Sequence, residues 1–509
     1  MKNKFTGNTL SVHLWGTEIG RLTWDERRNI SYFFFSPEYF KQEYDISPIL
    51  YPKNSPESRL AVKGIADDNL YQKLPPFIAD SLPDEWGNAI FNEWFENNGY
   101  QTKDKNALTK LSFIGKTAMG ALEFIPAYHT GDEREEISLL ELYREAKALE
   151  DRLNGLTVKN DGAITIKKLQ ALGTSPGGRH SKAIISQRSD GTFVSGKTAT
   201  DPALKHYIIK FNAPEYSLSE TEMAYRDLAE LAGIEMMPSE LKEIEGVKHF
   251  MTERFDRRNG RKVYMQTLAG INRCDSTYEE LFRTCRMLGL NEPQMQEMFR
   301  RAAFNFLMNN TDDHRKNFSF IMDENGRWSP SPHYDVTFIL ETGNTPCDRH
   351  CMSLNGKHYG VTAADLLQFA DKNGIKNAQT IIDKIAAASL EFPRLAKQYG
   401  IRSDIAEIME NRINSLRPEN FKAAPIKTSY SFRTKQGVYI RDVSFERSEK
   451  GNIHLLATIH SQRKKYVFTP KRKEYGEIVR AGFNDMPDKQ KEELVMKFLF
   501  GRTLKMAEK

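Results

Sequence analysis

Cysteine is scarce in this sequence, with four residues among 509: Cys274, Cys285, Cys347 and Cys351. So few thiols over this length exclude a disulfide-stapled scaffold, which carries several pairs in a short chain. His350 lies between Cys347 and Cys351, but a structural zinc site needs four ligands and usually a second cysteine pair. We therefore favour reduced cysteines without a metal, and keep a zinc site as the alternative.

Long apolar runs are also missing. No window approaches the ~18 uninterrupted apolar residues of a membrane-spanning helix, and the first residues, Met1 to Asn8, lack the apolar core of a signal peptide. Internal repeats and low-complexity tracts are absent, which argues against solenoid architectures. We expect a cytoplasmic protein without membrane contact, built from about three domains of ~150 residues each.

The net charge of +5 is unevenly distributed along the chain. Residues 420–509 contain 20 Lys and Arg against 10 Asp and Glu, a net +10, which leaves −5 for the first 419 residues. Two basic runs, Arg463–Lys465 and Lys471–Lys473, lie close together with Tyr466 and Phe468 between them. This pattern indicates a surface for nucleic acid or an acidic partner, with a merely solvated face as the alternative.

The densest polar motif follows an amphipathic helical pattern and runs from Asn310 to Phe320. Asp312 and Asn317 have the Asp-x4-Asn spacing of a protein-kinase catalytic loop, and Asp335 follows an intervening strand-like run. Phosphoryl transfer needs a carboxylate that accepts or orients the hydroxyl proton, and an amide and a second carboxylate that hold Mg²⁺. We predict Asp312 as the base and Asn317 and Asp335 as metal ligands. The alternative is a polar loop that caps a helix.

Phosphate-handling features come earlier in the chain, in the order that a kinase requires. Gly173–Lys182 is rich in small residues, so its backbone N–H groups can approach phosphate oxygens, although it is not a Walker motif. Lys210 stands among apolar strand residues and needs a partner for its charge. Glu222 is the predicted partner, although Ser219 and Glu222 also fit a capping box. Phe250–Arg257 falls where a kinase hinge is expected.

These segments together resemble the HipA-like kinase family, the toxin kinases of bacterial toxin–antitoxin systems, over nearly the whole chain up to Ser415. The segments that carry the resemblance are Asp80–Gly87, Gly120–Pro126, Gly177–Lys182, Glu253–Arg257, Thr311–Asn317, Tyr334–Asp335 and Met352–Lys357.

The resemblance implies an α+β fold: a protein-kinase-like two-lobed structure with an N-terminal α/β subdomain, a mainly helical C-lobe and a small basic α+β C-terminal extension. We expect the N-terminal subdomain at 1–130 and the kinase N-lobe, with its Gly-rich loop and hinge, at 131–260. The C-lobe with the catalytic loop is expected at 261–417, and the extension, whose role is open, at 418–509.

The resemblance also implies ATP and Mg²⁺ as cofactors and a protein hydroxyl as acceptor. It adds His314 to Asp312 and Asn317 as catalytic residues, and it implies autophosphorylation of Ser175, with Thr174 as the neighbouring candidate. The nucleotide-binding residues that it implies are Gly177, Gly178, Arg179, His180, Ser181, Lys182, Lys210, Glu253, Arg254 and Phe255. His180 and Ser181 depart from the commoner family residues before the lysine.

Family members act on protein substrates that include aminoacyl-tRNA synthetases, and a HipB-like DNA-binding antitoxin neutralises them. The resemblance therefore implies such an antitoxin as partner, and DNA contact through that complex or through the basic extension. No helix-turn-helix pattern is evident in the extension, so a fused antitoxin is not expected. Two other functions stay open: a kinase-fold binding or regulatory module, and a small-molecule kinase.

Overall fold

The computed structural model describes residues 8–127, 136–153, 181–196, 201–212, 214–341, 343–418, 430–433, 439–447, 453–459, 462–469 and 471. The chain divides into two compact units, Met1–Phe421 and Lys422–Lys509. Within the described residues, no helix has both the length and the apolar character needed to cross a bilayer. The mixed α+β class predicted from the sequence is confirmed.

The first unit begins with a five-stranded antiparallel sheet in the order β4-β3-β2-β1-β5. Its strands are β1 (Thr9–Leu14), β2 (Thr17–Asp25), β3 (Ile30–Phe35), β4 (Val62–Lys63) and β5 (Leu122–Ile125). Alternate residues of β1, namely Leu10, Val12 and Leu14, are fully buried, as expected for a strand with one face on a core.

Alternation of apolar and polar residues over 8–35, with a turn at Gly16 to Gly20, predicts a hairpin. The hairpin is present as β1 and β2, and β3 extends it by a third strand. The chain turns at Trp15 and Gly16, both with positive φ, and Gly20 lies inside β2 opposite Val12. A Cβ atom on Gly20 would lie 2.4 Å from Cζ of Phe33. The glycine therefore permits close packing inside a three-stranded meander and does not form the turn.

Four α-helices lie between β3 and β5 in the chain. They are α1 (Pro37–Phe40), α2 (Pro76–Ala79), α3 (Glu85–Asn97) and α4 (Ala107–Ile114). Asp84 caps α3, since its carboxylate accepts a hydrogen bond from the Gly87 amide at 2.6 Å, the arrangement that stabilises helix starts. The apolar face of α3, with Trp86, Phe91 and Trp94, packs into a core that it shares with the next sheet and not with its own.

That second sheet is also antiparallel and five-stranded, in the order β7-β6-β8-β10-β9. Its strands are β6 (Lys182–Gln187), β7 (Phe193–Ser195), β8 (Lys205–Lys210), β9 (Ser239–Ile244) and β10 (Val247–Glu253). Two helices accompany it, α5 (Leu139–Leu153) and α6 (Leu218–Leu231). This assembly forms the N-lobe, and its sheet shares one apolar core with α3 and α5.

The C-lobe follows, mainly helical with small antiparallel sheets at its start. The strands are β11 (Arg257–Arg258), β12 (Arg261–Lys262), β13 (Tyr264–Thr267), β14 (Ser319–Met322) and β15 (Trp328–Pro330). The helices are α7 (Leu268–Ile271), α8 (Tyr278–Met287), α9 (Glu292–Leu307), α10 (Ala363–Lys372), α11 (Ala378–Ser389), α12 (Phe392–Tyr399) and α13 (Ser403–Leu416). Their apolar faces and the N-terminal sheet contribute to one continuous core.

The second unit contains a four-stranded antiparallel meander, β16-β17-β18-β19. The strands are β16 (Tyr430–Arg433), β17 (Tyr439–Arg447), β18 (Ile453–Ile459) and β19 (Gln462–Phe468). The basic run Arg463–Lys465 therefore belongs to a strand, which the sequence analysis did not identify. Backbone register aligns Arg441, Thr458 and Arg463 in one row across three strands.

Candidate functional site

A cleft opens between the N-lobe sheet and the first strands and loops of the C-lobe. Its polar lining comes from both sides, with Lys182, Lys210 and Glu222 from the N-lobe and Lys316 and Asp335 from the C-lobe. Its apolar lining consists of Met119, Ile208, Met236, Met237, Phe250, Phe255, Met265 and Val336. A flat apolar slot with a few convergent charged groups is the usual form of a cofactor or substrate site.

Lys210, the last residue of β8, forms the centre of the charged lining. Its ammonium donates to Glu222 Oε1 of α6 at 2.6 Å and also to Asp335 Oδ1. Burial by itself would lower the pKa of Lys210, but Asp335 and Glu222 outweigh burial and hold that pKa above its ordinary value. Burial would raise the pKa of Asp335, yet Lys210 keeps it well below its usual range. Both side chains therefore remain charged at neutral pH.

The loop between α9 and β14 carries Asp312, His314 and Asn317. The Asn317 side-chain amide donates to the Asp312 carbonyl at 2.7 Å, and its backbone amide donates to the His314 carbonyl at 2.8 Å. His314 Nε2 lies 3.7 Å from Asp312 Oδ1. Burial raises the pKa of Asp312, while the nearby imidazole of His314 opposes that effect. Asp335 and Lys210 also act electrostatically on Asp312, so the three groups belong to one site.

Asp313 fixes this loop from behind. Its fully buried carboxylate accepts hydrogen bonds from the Tyr278 hydroxyl at 2.6 Å and from the Cys351 amide at 2.8 Å, and it lies 2.9 Å from His350 Nδ1. Asn305 donates to the same tyrosine oxygen at 3.0 Å. Buried carboxylates need such partners. Asp313 thus ties the loop to residues 350–352.

A magnesium ion would find oxygen donors here. Among the residues that the structure describes, no group of three or more His, Cys, Asp or Glu side chains converges as a metal site. Mg²⁺, however, is usually held by one or two carboxylates together with substrate phosphates and water. Asp335 supplies a carboxylate, and the Asn317 amide nitrogen is already engaged, which leaves its amide oxygen as a ligand. The two side chains fit this ion.

The predicted hinge contains a fully buried ion triad. Arg254 forks onto Asp256 through Nε and Nη2, each at 2.8 Å, and Arg257 reaches the same carboxylate at 2.9 Å. The Gly120 amide donates to Asp256 at 2.7 Å. Beside the triad, the rings of Phe255 and Tyr334 stack at 5.7 Å. The segment Glu253–Arg257 therefore shapes the cleft wall and attaches it to the N-terminal part.

The structure brings Lys182, Lys210, Glu222, Glu253, Arg254, Phe255 and Asp335 to the cleft lining. Ser181 is buried at the start of β6, and its backbone bonds Glu150 and Phe211. Ser175, Thr174, Gly177, Gly178, Arg179 and His180 lie outside the described residues. Sequence reasoning did not assign roles to Asp84, Lys316 and His333. The buried imidazole of His333 lines the cleft, and neither of its nitrogens has a partner among the described residues.

Two family models match the chain. The HipA N-terminal domain matches residues 10–125, and the HipA-like C-terminal domain matches residues 174–391. Together they cover more than half of the chain. A Haemophilus influenzae protein named "Putative kinase" is 25% identical over 219 residues, which are 35% of this chain and 63% of that protein. The chain thus spans less than two thirds of the length of this relative.

Solved structures resemble the chain as well. A chain of the Shewanella oneidensis MR-1 toxin–antitoxin complex of HipA, HipB and operator DNA aligns with a TM-score of 0.53 at 18% identity. The alignment covers 80% of this chain and 95% of that chain. The Helicobacter pylori proinflammatory kinase CtkA aligns with a TM-score of 0.27 at 12% identity, over 42% of this chain and 92% of that one. The likeness to the Shewanella oneidensis chain shows a similar fold. The TM-score of the CtkA alignment is too low to show a similar fold.

Proposed function

The chain is a HipA-like protein, and from this premise we propose that it is a serine/threonine protein kinase that transfers the γ-phosphoryl group of ATP to a protein hydroxyl. The observation that carries the proposal is the bridge that Lys210 makes between Glu222 and Asp335 in a cleft beside Asp312. A lysine held by a helix glutamate and a metal-binding aspartate opposite it are the parts that protein kinases require for phosphate binding.

Each residue has a defined task in this proposal. Lys210 holds the α- and β-phosphates of the nucleotide, and Glu222 keeps the lysine in place. Asp312 orients the acceptor hydroxyl and takes its proton as the new P–O bond forms and the bond to the β-phosphate breaks. Asn317 fixes the loop through its bond to the Asp312 carbonyl, and His314 places a polar ring beside the base. Mg²⁺ at Asn317 and Asp335 would neutralise charge on the phosphates.

The apolar slot suits the nucleobase. Met236, Met237 and Phe255 line it, and Glu253–Phe255 form the connection between the lobes, whose backbone groups would face the base. The Gly-rich loop that includes Gly177–Lys182 would cover the phosphates. The domain division at 1–130, 131–260, 261–417 and 418–509 and the autophosphorylation of Ser175, with Thr174 as second candidate, are parts of the same proposal.

Mass spectrometry of the protein incubated with Mg-ATP tests the activity and the modification site together. We expect one phosphate on Ser175, lost in Ser175→Ala and absent from Asp335→Asn. A matched control is Asp371→Asn, since Asp371 is exposed on α10, and this variant should be labelled like the wild type. If Asp335→Asn is labelled as fast as the wild type, the assignment of the site is wrong.

The substrate and the partner are proposed from the family. We infer a HipB-like DNA-binding antitoxin, because the Shewanella oneidensis structure holds HipA together with HipB and operator DNA. The acceptor would be a cytoplasmic protein, for which an aminoacyl-tRNA synthetase is the first candidate. Phosphoproteomics after brief expression tests this choice. A new phosphorylated metabolite with an unchanged phosphoproteome would favour a small-molecule kinase, and no labelling at all would favour a binding module.

The basic extension is proposed to contact DNA. Backbone register puts Arg441 and Arg463 in one row of the meander, on either side of Thr458, within a segment of net charge +10, which suits a phosphate backbone. Binding to duplex DNA should weaken steeply as salt rises, because each phosphate contact releases counterions. Deletion of residues 420–509 should remove this salt-dependent binding, and unchanged binding after deletion would contradict the assignment.

A further inference from the structure

The turn before α3 connects the N-terminal part with Lys182, a residue of the cleft lining. Asp84 carries a buried carboxylate that lies 2.6 Å from the ammonium of Lys182, and the two side chains are only 5% and 3% exposed. Lys182 is the last residue of the Gly-rich segment Gly173–Lys182, begins β6 and lines the cleft. A buried ammonium needs a charged partner to offset its lost hydration. A residue from outside the kinase lobes supplies that partner.

The same turn holds Lys182 at a second point. The indole Nε1 of Trp86, which is almost fully buried, donates to the Lys182 carbonyl at 2.9 Å. Main chain and side chain of one lysine are thus both fixed by residues at the start of α3. Because Trp86 also belongs to the apolar core of the N-lobe, the position of the turn relative to β6 is set by packing and not by the ion pair alone.

Lys182 belongs to the charged centre of the cleft. Burial would raise the pKa of Asp335, but Lys210 lowers it, and Lys182 lowers it further. Lys182 also acts on Glu222. The cleft therefore has two lysine–carboxylate pairs. The pair of Lys210 and Glu222 lies within the N-lobe, whereas the pair of Lys182 and Asp84 is completed by the N-terminal part.

The turn reaches the opposite lobe as well. Asp80, four residues before Asp84, accepts hydrogen bonds from the Thr267 amide and hydroxyl, both at 2.6 Å. Thr267 lines the cleft on the C-lobe side, as does Lys316, whose charge acts on both aspartates. Asp80 and Asp84 of one short turn thus contact cleft residues of the two lobes, Thr267 of the C-lobe and Lys182 of the N-lobe.

We propose that Asp84 is a positioning residue that holds the Lys182 ammonium toward the phosphates of a bound nucleoside triphosphate, so that the N-terminal part of the chain sets the nucleotide affinity of the cleft. A lysine side chain loses rotamer freedom when it is fixed in one position. If the carboxylate has already fixed it, the nucleotide does not bear that cost. The proposal rests on the proposed function, because it requires a phosphate ligand in this cleft.

A double-mutant cycle on the full-length chain tests the proposal. The dissociation constant of Mg-ATP is measured by calorimetry for the wild type, Asp84→Asn, Lys182→Gln and the double variant. Asparagine can still cap α3 while it removes the charge. We expect Asp84→Asn to weaken binding by about 5- to 10-fold, and the double variant to bind no more weakly than Lys182→Gln alone. For Asp84→Asn, the turnover number at saturating ATP should stay within about 2-fold of the wild-type value, because this substitution does not change the step after binding.

A matched control is Asp68→Asn, because Asp68 likewise caps a short helical turn, through the Leu70 amide, but is not the partner of Lys182. Its affinity should equal that of the wild type. If Asp84→Asn does not fold, Trp86→Phe removes the second hold on Lys182 and should weaken binding by about 3-fold.

The outcomes separate the two levels of inference. A wild type that binds no nucleotide overturns the proposed function and this proposal together. A wild type that binds, with an Asp84→Asn variant of equal affinity, overturns only the positioning role. Additive effects of Asp84→Asn and Lys182→Gln would also overturn it, because they would assign Asp84 a purely structural role.

Discussion

Lys210 and Asp335 are 125 residues apart in sequence and form an ion pair across the cleft. One residue ends a strand of the N-lobe sheet, and the other follows the strands of the C-lobe with a positive φ of 56°. Such a backbone conformation is uncommon outside glycine, asparagine and aspartate. The pair joins the two lobes by charge at the point where we place the phosphates.

Replacement of Lys210 should therefore affect stability as well as nucleotide binding. In Lys210→Met, the carboxylates of Glu222 and Asp335 would lose the ammonium that bridges them, and breaking a largely buried pair in this way costs up to about 3 kcal/mol. Urea unfolding should show this loss. The control is Lys376→Met, which breaks an exposed pair with Glu292 and should change stability by about 1 kcal/mol at most. Equal effects of the two variants would refute the role of the buried pair.

Asp312→Asn should lower the rate of phosphate transfer without lowering stability. Its carboxylate is partly desolvated near the carboxylates of Asp335 and Asp313, and burial raises its pKa, so a neutral amide should not lower the urea midpoint. The rate of phosphate transfer at saturating ATP should fall on the order of 10³-fold. A variant that loses both stability and activity in parallel would indicate that Asp312 has a structural task instead.

Asp256→Asn should be among the most destabilising conservative changes in the chain. Its carboxylate neutralises Arg254 and Arg257 and accepts the Gly120 amide, all without access to solvent. Loss of the charge leaves two buried guanidinium groups, at a cost of about 3–5 kcal/mol. Glu324→Gln breaks the exposed pair with Arg261 and serves as control. Thermal unfolding of the two variants distinguishes them, and a similar melting temperature for both would contradict this expectation.

Two buried histidines predict a loss of stability in mild acid. Burial lowers the pKa of His206 and of His249 to about 4 in the folded protein, whereas the unfolded chain has a pKa of about 6.5. The unfolded state therefore takes up protons first, so the stability contribution is complete above pH ~6.5 and declines toward pH ~4. Each histidine should contribute up to about 2 kcal/mol to this decline.

The measurement is the urea midpoint of unfolding at two pH values, about pH 7.5 and about pH 4.5. His249→Asn should reduce the difference between the two pH values, because an amide oxygen can still accept from the Asn212 amide, as the ring nitrogen does at 3.0 Å. His13→Asn on the half-exposed face of β1 is the control and should leave the difference unchanged. The same pH difference in the wild type and in His249→Asn would contradict the assignment.

Much of the fold was readable from local patterns. The apolar period over residues 84–98, 137–153 and 219–232 predicts three helices, and α3, α5 and α6 lie within two residues of these bounds, because helix periodicity and caps are encoded within a few neighbouring residues. The alternation over residues 8–35 predicts a hairpin that turns between Gly16 and Gly20, but the chain turns at Trp15 and Gly16. Gly20 instead packs against the Phe33 ring of another strand, which no local pattern shows. The strand β19 was read as a charge run, since its pairing partner lies in β18.

By itself, the sequence determined the types of residue that phosphoryl transfer needs and their order along the chain. These are a lysine on a strand, a glutamate on the following helix, the Asp-x4-Asn loop and a later aspartate. Only a few residue types can carry out this chemistry, so their types and spacing predict the site from the sequence alone. Only the tertiary structure decided that Asp84 pairs with Lys182 and that Asp313 anchors residues 350–352. These pairs join segments whose sequence separation obeys no local rule, and packing of whole helices against sheets and loops brings them together.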